Sequence, residues 1–297
     1  MKSFAGLIRD MTNLITPLLQ SEEFEKTCKM LELPVRRFET AEGSCLIQSR
    51  KLPLIGAVNL MSRGPVLRDP SQVRSFLTDA RRELRGPLVL NTASGMEKTG
   101  GLKVARGAKL AIIDVKPPEE ARAAMHQKWR NQLKKAEKSP LVIVNQPLNA
   151  HKHAWFLKTE TQQQQSRGYK TYPAPFLLAY AAANKGKARL ISALIDGKPA
   201  ASMLVLMHGR MATYQAGVTT PEGRTHCAHN LILWNIICEL NKKGVAQLDL
   251  GRADLSKGLT RFKLGAGARV EALPGSYLFW NPFARRRAAP TTAFQPS

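Results

Sequence analysis

Residues 245–268 read VAQLDLGRADLSKGLTRFKLGAGA, and the reading of this stretch decides the fold. Leu248 and Leu250 alternate with Gln247 and Asp249, the period of a strand with one buried face. The strand ends in charge at Arg252 and Asp254, where a loop begins, and loops at strand ends are where functional side chains gather. Asp249 reads as the group that orients Arg252. Further on, Phe262 and Lys263 precede Gly265 and Gly267, two glycines that let the backbone come close to another group. Lys263 is therefore either a surface lysine at a helix end or a cation held against something. Phe262 either packs on a bound group or fills the core.

Working outward, the apolar run NLILWNIICELNKKG (230–244) predicts a helix. It follows a strand, MATYQAGV (211–218), and a hairpin over 188–209 that turns at Asp196-Gly197. Helices are expected at HAWFLKTETQQQQSR (153–167) and PFLLAYAAANKGK (175–187). In the first half, short alternating runs between 35 and 67 predict an antiparallel meander. A helix over 70–85 turns Val73, Phe76, Leu77, Ala80 and Leu84 inward. A strand at GPLVLNTA (86–93), a glycine-rich loop at MEKTGGLKVARG (96–107) and a strand at KLAIIDV (109–115) come next. Pro117 and Pro118 open one long helix over 119–138, and LVIVNQ (141–146) returns as a strand.

Meander, helix, strand, helix and strand thus occur twice. The fold class is α+β, with two related units, 1–145 and 146–281, and a basic, disordered tail at 282–297. Residues 4–18 place Phe4, Leu7, Ile8, Met11, Leu14, Ile15 and Leu18 at helical spacing. This amphipathic helix either docks on the protein's own core or lies on a membrane surface.

Charge separates this chain from an ordinary domain. Its 45 Lys and Arg stand against 22 Asp and Glu, a net charge of +23. Such an excess attracts polyanions, whether RNA, anionic lipid or a phosphorylated substrate, or simply keeps the surface solvated. No long apolar run spans a membrane, and no secretory signal pattern opens the chain. Cys28, Cys45, Cys227 and Cys238 have neither framework spacing nor a CxxC. Reduced thiols in a cytoplasmic protein, free or peripheral at the inner face of the membrane, are expected.

Three stretches together carry a resemblance. MSRGPVL (61–67), IIDVKPPEEARAAMHQKWRNQLKKAEK (112–138) and GVAQLDLGRADLSKGLTRFKLGAGA (244–268) occur in the order and spacing of the FemABX group. That group comprises tandem acetyltransferase-fold (GNAT-like) proteins, known as peptidoglycan interpeptide-bridge transferases and relatives. The resemblance covers about residues 35–280. It implies two GNAT-like domains with a cleft between them, in which an acyl or aminoacyl group moves to an amine. It also places the Phe262-Lys263 pair in that cleft. Two departures stand out. Asn91 and Thr92 occupy the place where family members often carry an acid followed by proline, and the helical-hairpin arm of some relatives is missing.

The chemistry of Lys263 fits that implication. When an amine attacks an ester or thioester carbonyl, negative charge builds on the oxygen, and a fixed cation there stabilises the transition state. Arg252 and Asp254 at the strand end, and Tyr214 and Gln215 on the strand before the loop, are candidates to bind donor or substrate. Arg63, Lys128, Arg130 and Lys134 are candidate phosphate clamps or a solvated helix face, with Arg130 and Lys134 sharing one face at i,i+4. His226, Cys227 and His229 read as a polar helix start, so no metal site is expected. The loop PEGRTHCAHN (221–230) has one glycine, Gly223, and lacks the Gly-x-Gly run of a coenzyme A cradle. Together with the basic surface this favours aminoacyl-tRNA as donor over acyl-CoA or an acyl-carrier protein. The acceptor is then an amine of a small molecule or a cell-wall precursor. A non-catalytic RNA-binding protein on a degenerate transferase fold is the competing reading.

Overall fold

The computed structural model describes residues 14–53, 56–254 and 256–280. The amphipathic segment expected at 4–18 and the tail at 282–297 lie largely or wholly outside these. After a short 3-10 turn at Leu18–Gln20 comes helix α1 (Glu22–Met30), capped by the Ser21 hydroxyl, which accepts from Phe24 N, with Glu22, Glu23 and Glu25 in its first turn. Strands β1 (Val35–Glu39), β2 (Gly43–Leu52), β3 (Gly56–Gly64) and β4 (Val66–Leu67) form the expected meander. Helix α2 (Val73–Arg82) buries Val73, Phe76, Leu77 and Ala80 as the periodicity requires. Strands β5 (Leu88–Thr92), β6 (Leu102–Arg106) and β7 (Lys109–Asp114) follow.

The second half adds α3 (Pro118–Ala123), α4 (Gln127–Glu137), β8 (Val142–Pro147), α5 (Ala154–Arg167) and α6 (Ala174–Ala183). Then come β9 (Ala188–Ile195), β10 (Lys198–His208), β11 (Met211–Thr219), α7 (Pro221–Thr225) and α8 (Ala228–Lys242). The chain continues through β12 (Gln247–Arg252), α9 (Lys257–Gly265), β13 (Arg269–Ala272) and β14 (Gly275–Phe279).

The strands form two sheets, ordered β1-β2-β3-β5-β14-β6, with β4 on β2, and β13-β7-β12-β11-β10-β9-β8. Each has the same plan. A parallel pair, β3/β5 or β11/β12, is joined through a crossover helix, α2 or α8. The two sheets also exchange a strand. β6 lies in the first sheet, but β7, two residues on, enters the second between β12 and β13. β13 lies in the second sheet, and β14 returns to the first between β5 and β6. The two crossover links lie against each other, with Leu273 N donating to Ala108 O at 2.9 Å. A Cβ at Gly107 would lie 1.7 Å from Leu273 O, so only glycine fits that crossing.

Three expectations change. The sheets change over at residues 107–108 and 273–274, and a boundary at 145/146 would cut through β8. Alternation shows where strands are but not which partner they pair with. The glycine-rich loop at 96–107 contains β6, an edge strand whose residues are all exposed, so it lacks an inward apolar pattern. The single helix after Pro117 is two, α3 and α4, broken at Ala124–His126, where His126 N donates to Gly265 O.

The cores follow from the sheets. α2 covers one face of the first sheet through Phe76, Leu77, Leu90 and Tyr277. α3, α4 and α8 cover one face of the second through Trp129, Leu133, Ile232 and Leu248. Its other face packs on α1, α5 and α6 through Phe24, Phe156, Tyr180 and Leu204, where Leu46 of the first sheet joins the same core.

Candidate active site at the fork of the second sheet

The parallel pairs of the two sheets differ in one respect. β3 and β5 stay paired from Asn59↔Leu88 to Gly64↔Thr92. β11 and β12 pair only from Met211↔Gln247 to Thr213↔Asp249 and then part, leaving a fork. In the first sheet Asn91 and Thr92 are absorbed by the sheet itself. Ser276 Oγ donates to Asn91 Oδ1 (2.7 Å), and Thr92 Oγ1 donates to Gly275 O (3.0 Å).

The β12 prong carries the lysine. Asp249 Oδ1 accepts from Gly251 N at 2.7 Å, closing a tight kink in which Gly251 has φ 75°. The register of β12 against β7 shifts between Asp249 and Arg252. The kink presents the Arg252 carbonyl to α9, and Lys263 Nζ donates to it at 2.8 Å. The Ser256 hydroxyl caps α9 by accepting from Leu259 N, which starts the helix at Lys257 and turns Lys263 inward. Lys263 is 4 % exposed. Burial lowers its pKa to about 8, while the charges of Asp249 and Asp254 pull it back up.

The neighbouring glycines serve the protein's own packing. A Cβ at Gly265 would lie 2.9 Å from Trp129 Cδ1, and Gly267 lies against Ala124. Phe262 is half-buried between the rings of Trp129 (6.0 Å between centroids) and His229 (6.4 Å). The α9–α4 contact therefore fixes the lysine.

The β11 prong carries Tyr214 and Gln215. Ala216 pairs with Leu204 and Tyr214 with Val205, so Gln215 is the extra residue of a bulge, and its amide donates to Thr171. Tyr214 is half-buried with its hydroxyl over Gly217, where a Cβ would lie 2.3 Å from it. Burial pushes the Tyr214 hydroxyl pKa up.

Other expected site residues fall elsewhere. Asp249 accepts from Arg63, not from Arg252. Arg63 is thus engaged by Asp249 between the two sheets. Its φ is 55°, and that turn at the end of β3 aims it across the gap. Arg252 pairs with Asp254 at 2.8 and 3.2 Å, and Asp254 also accepts from Lys109 N. Lys128 and Lys134 are exposed on α4, and Arg130 donates to Ala123 O at 3.0 Å. An open groove of about 450 Å³ runs along the outer face of α9 between Asp254, Ser256, Lys257 and Arg261. Lys263 does not line it. His229 bonds Val218 O at 3.1 Å, and burial lowers its pKa. Among the described residues no group of three or more His, Cys, Asp or Glu is placed to hold a metal.

Glu160 on α5, at i+4 from Phe156 and i+3 from Leu157, is buried and accepts from Tyr169 at 2.8 Å and from Gln163 at 3.3 Å.

A scan of family models matches residues 119–264 to the acetyltransferase (GNAT) domain. Among solved structures, FemX superposes with a TM-score of 0.72 at 13% identity, covering 95% of this chain and 96% of that one. This chain has the fold of FemX, two GNAT-like units in tandem. L-PGS from Bacillus licheniformis shares the fold, with a TM-score of 0.54 at 14% identity over 89% of this chain and 92% of that one. No curated protein matches by sequence. The matched GNAT region contains the fork, both of its prongs and Lys263. Among the described residues of the chain no helix is long and apolar enough to cross a membrane.

Proposed function

We propose that this protein transfers an aminoacyl group from aminoacyl-tRNA to a primary amine, forming an amide, with Lys263 as the oxyanion donor. The observation that carries this reading is the buried ammonium of Lys263, anchored by one carbonyl at the open prong of a parallel pair. An ammonium has three donors, and the Arg252 carbonyl takes one. The others serve a carbonyl oxygen that becomes negative as the amine attacks, in a site where water does not screen the charge.

The choice of donor rests on the loop and the charge. Gly223, the one glycine before α8, packs on β10, where a Cβ would lie 2.2 Å from Ala200 O. It is thus committed to the protein and is not free to approach a pyrophosphate. The net charge of +23 favours a polyanionic carrier such as tRNA. The acceptor is an amine of a small molecule or a cell-wall precursor. The resemblance of the sequence to the FemABX group, the peptidoglycan interpeptide-bridge transferases and relatives, supports the second of these.

The test incubates the pure protein with a charged tRNA pool and, separately, with a panel of acyl-CoAs, each with amine acceptors, following new amides by mass spectrometry. Lys263→Ala is expected to fold and to lose about 100-fold or more in turnover, the scale of one oxyanion donor. A fully active variant removes Lys263 from the reaction. Amides formed only with acyl-CoA replace the tRNA donor, and RNA binding without any product overturns the transfer reading.

A further inference from the structure

The two sides of α9 face different surroundings. The inner side turns Lys263 to the Arg252 carbonyl, while the outer side, through Lys257, Thr260 and Arg261, walls the open groove of about 450 Å³. Clefts that hold ligands run to about 300–1,000 Å³. The facing wall is Ala253 and Asp254, where the chain leaves β12. Thr260 Oγ1 donates to Ala253 O at 2.7 Å and ties the helix to that wall. The carbonyl that Lys263 holds belongs to the peptide unit joining Arg252 to Ala253, and Ala253 lines the groove. A single peptide unit therefore separates the anchor of the ammonium from the groove.

The charge of the groove runs against what the helix itself would select. Lys257 and Arg261 are exposed, one turn apart, and among the described residues neither has an ion-pair partner. Like charges at i,i+4 destabilise a helix, and a cation in the first turn opposes its dipole, yet the first turn of α9 has no acid. The carboxylate in the lining does not offset them. Asp254 is held by Arg252 at 2.8 and 3.2 Å and accepts from Lys109 N at 3.2 Å. Glu271, across β7 from Arg252, is taken by Arg269 at 2.8 Å. Lys257 and Arg261 are thus left in excess, and a local rule broken in this way marks a functional surface.

We infer that this groove seats the backbone of the tRNA next to its 3′ end, with Lys257 and Arg261 on neighbouring phosphates. Side chains one helical turn apart stand about 5–6 Å from each other, a spacing that suits successive phosphates of one strand better than a single ion. A concave groove admits a strand, whereas a bilayer surface meets convex parts of a protein first. The net charge of +23 draws the polyanion in from a distance. From the groove the aminoacyl ester at the 3′ terminus passes the Arg252–Ala253 peptide to reach Lys263. Contacts of this kind position the RNA and carry no sequence information.

This inference rests on the tRNA donor of the transfer reading, and the experiment separates the two. Labelled, deacylated tRNA is titrated with the wild type, with Lys257→Gln/Arg261→Gln and with a control, Lys185→Gln/Lys198→Gln, at several salt concentrations. The control removes the same charge from exposed positions outside the groove. The groove variant is expected to lose about 1.4–1.8 from the slope of log K against log salt, two phosphate contacts at ~0.7–0.9 each, and about 30-fold in affinity at 0.1 M salt. The control stays near the wild type. In the transfer assay the same loss appears as a raised KM for aminoacyl-tRNA. Equal losses in both variants, or none in the groove variant, overturn the groove. So does a groove variant that binds tRNA normally but no longer co-sediments with phosphatidylglycerol vesicles, which makes the groove a lipid surface. If the double variant does not fold, Lys257→Gln and Arg261→Gln decide singly, each with half the change in slope. Unchanged tRNA binding in the groove variant, with amides still formed from aminoacyl-tRNA, sinks the groove and keeps the transfer reading. A wild type that forms amides only with acyl-CoA sinks the tRNA donor and the groove with it.

Discussion

Arg63 and Asp249 form an ion pair between the two sheets across 186 residues of sequence. Asp249 also accepts from Gly251 N, and the resulting kink sets the Arg252 carbonyl that anchors Lys263. A residue of the first sheet thereby fixes the backbone that holds the ammonium of the second. The first sheet, whose own parallel pair stays closed, acts through this contact as a brace for the fork.

Breaking that brace is costly. Arg63→Gln leaves the Asp249 carboxylate buried and unpaired, and a loss of stability of about 3 kcal/mol is expected in urea unfolding. The double variant Arg63→Gln/Asp249→Asn should recover part of that loss, because no charge is then stranded. Equal stability of Arg63→Gln and wild type would remove the pair as a structural element.

The high-pH limb of activity reports on Lys263. The proposed reaction uses its ammonium, and burial lowers its pKa to about 8, so kcat/KM should fall as pH rises through 8. Asp249→Asn removes a charge that favours the ammonium, and the limb should move to lower pH. The stability linkage has the opposite sign. Between pH 8 and the ordinary lysine range the unfolded chain binds more protons than the folded one, so stability rises with pH through that window. Lys263→Met should flatten this rise, which denaturant titrations at pH 7.5 and 10 would reveal.

Gly107→Ala tests the strand exchange. Its Cβ would lie 1.7 Å from Leu273 O, so the two crossover links must separate. A loss of about 1–3 kcal/mol or more is expected, since the obstacle is backbone and not a flexible side chain. Gly168→Ala is a useful contrast, because nothing lies within 4 Å of its Cβ and only the cost of its φ of 66° applies. Comparable losses in the two variants would count against tight packing at the crossing.

Much of the scaffold was legible because its signals are local. The meander, the amphipathic α2 with Val73, Phe76, Leu77 and Ala80, and the hairpin at Asp196-Gly197 follow from alternation, helical spacing and turn chemistry. The Phe-Lys and glycine pattern drew attention to Lys263, which the structure buries, while its glycines pack on Trp129 and Ala124. Asp249 was assigned the wrong arginine, because the nearer Arg252 is a sequence neighbour and Arg63 is not.

The sequence by itself determined the α+β class, the position of most strands and helices and the excess of positive charge, and it singled out Lys263 as a candidate cation. Tertiary structure alone decided which strands cross between the sheets, which parallel pair opens, and which charges meet across the gap. The division has one physical cause. Backbone propensity and side-chain periodicity act over a few residues, whereas strand partnership, burial of an ammonium and its shifted pKa depend on groups brought together from distant parts of the chain.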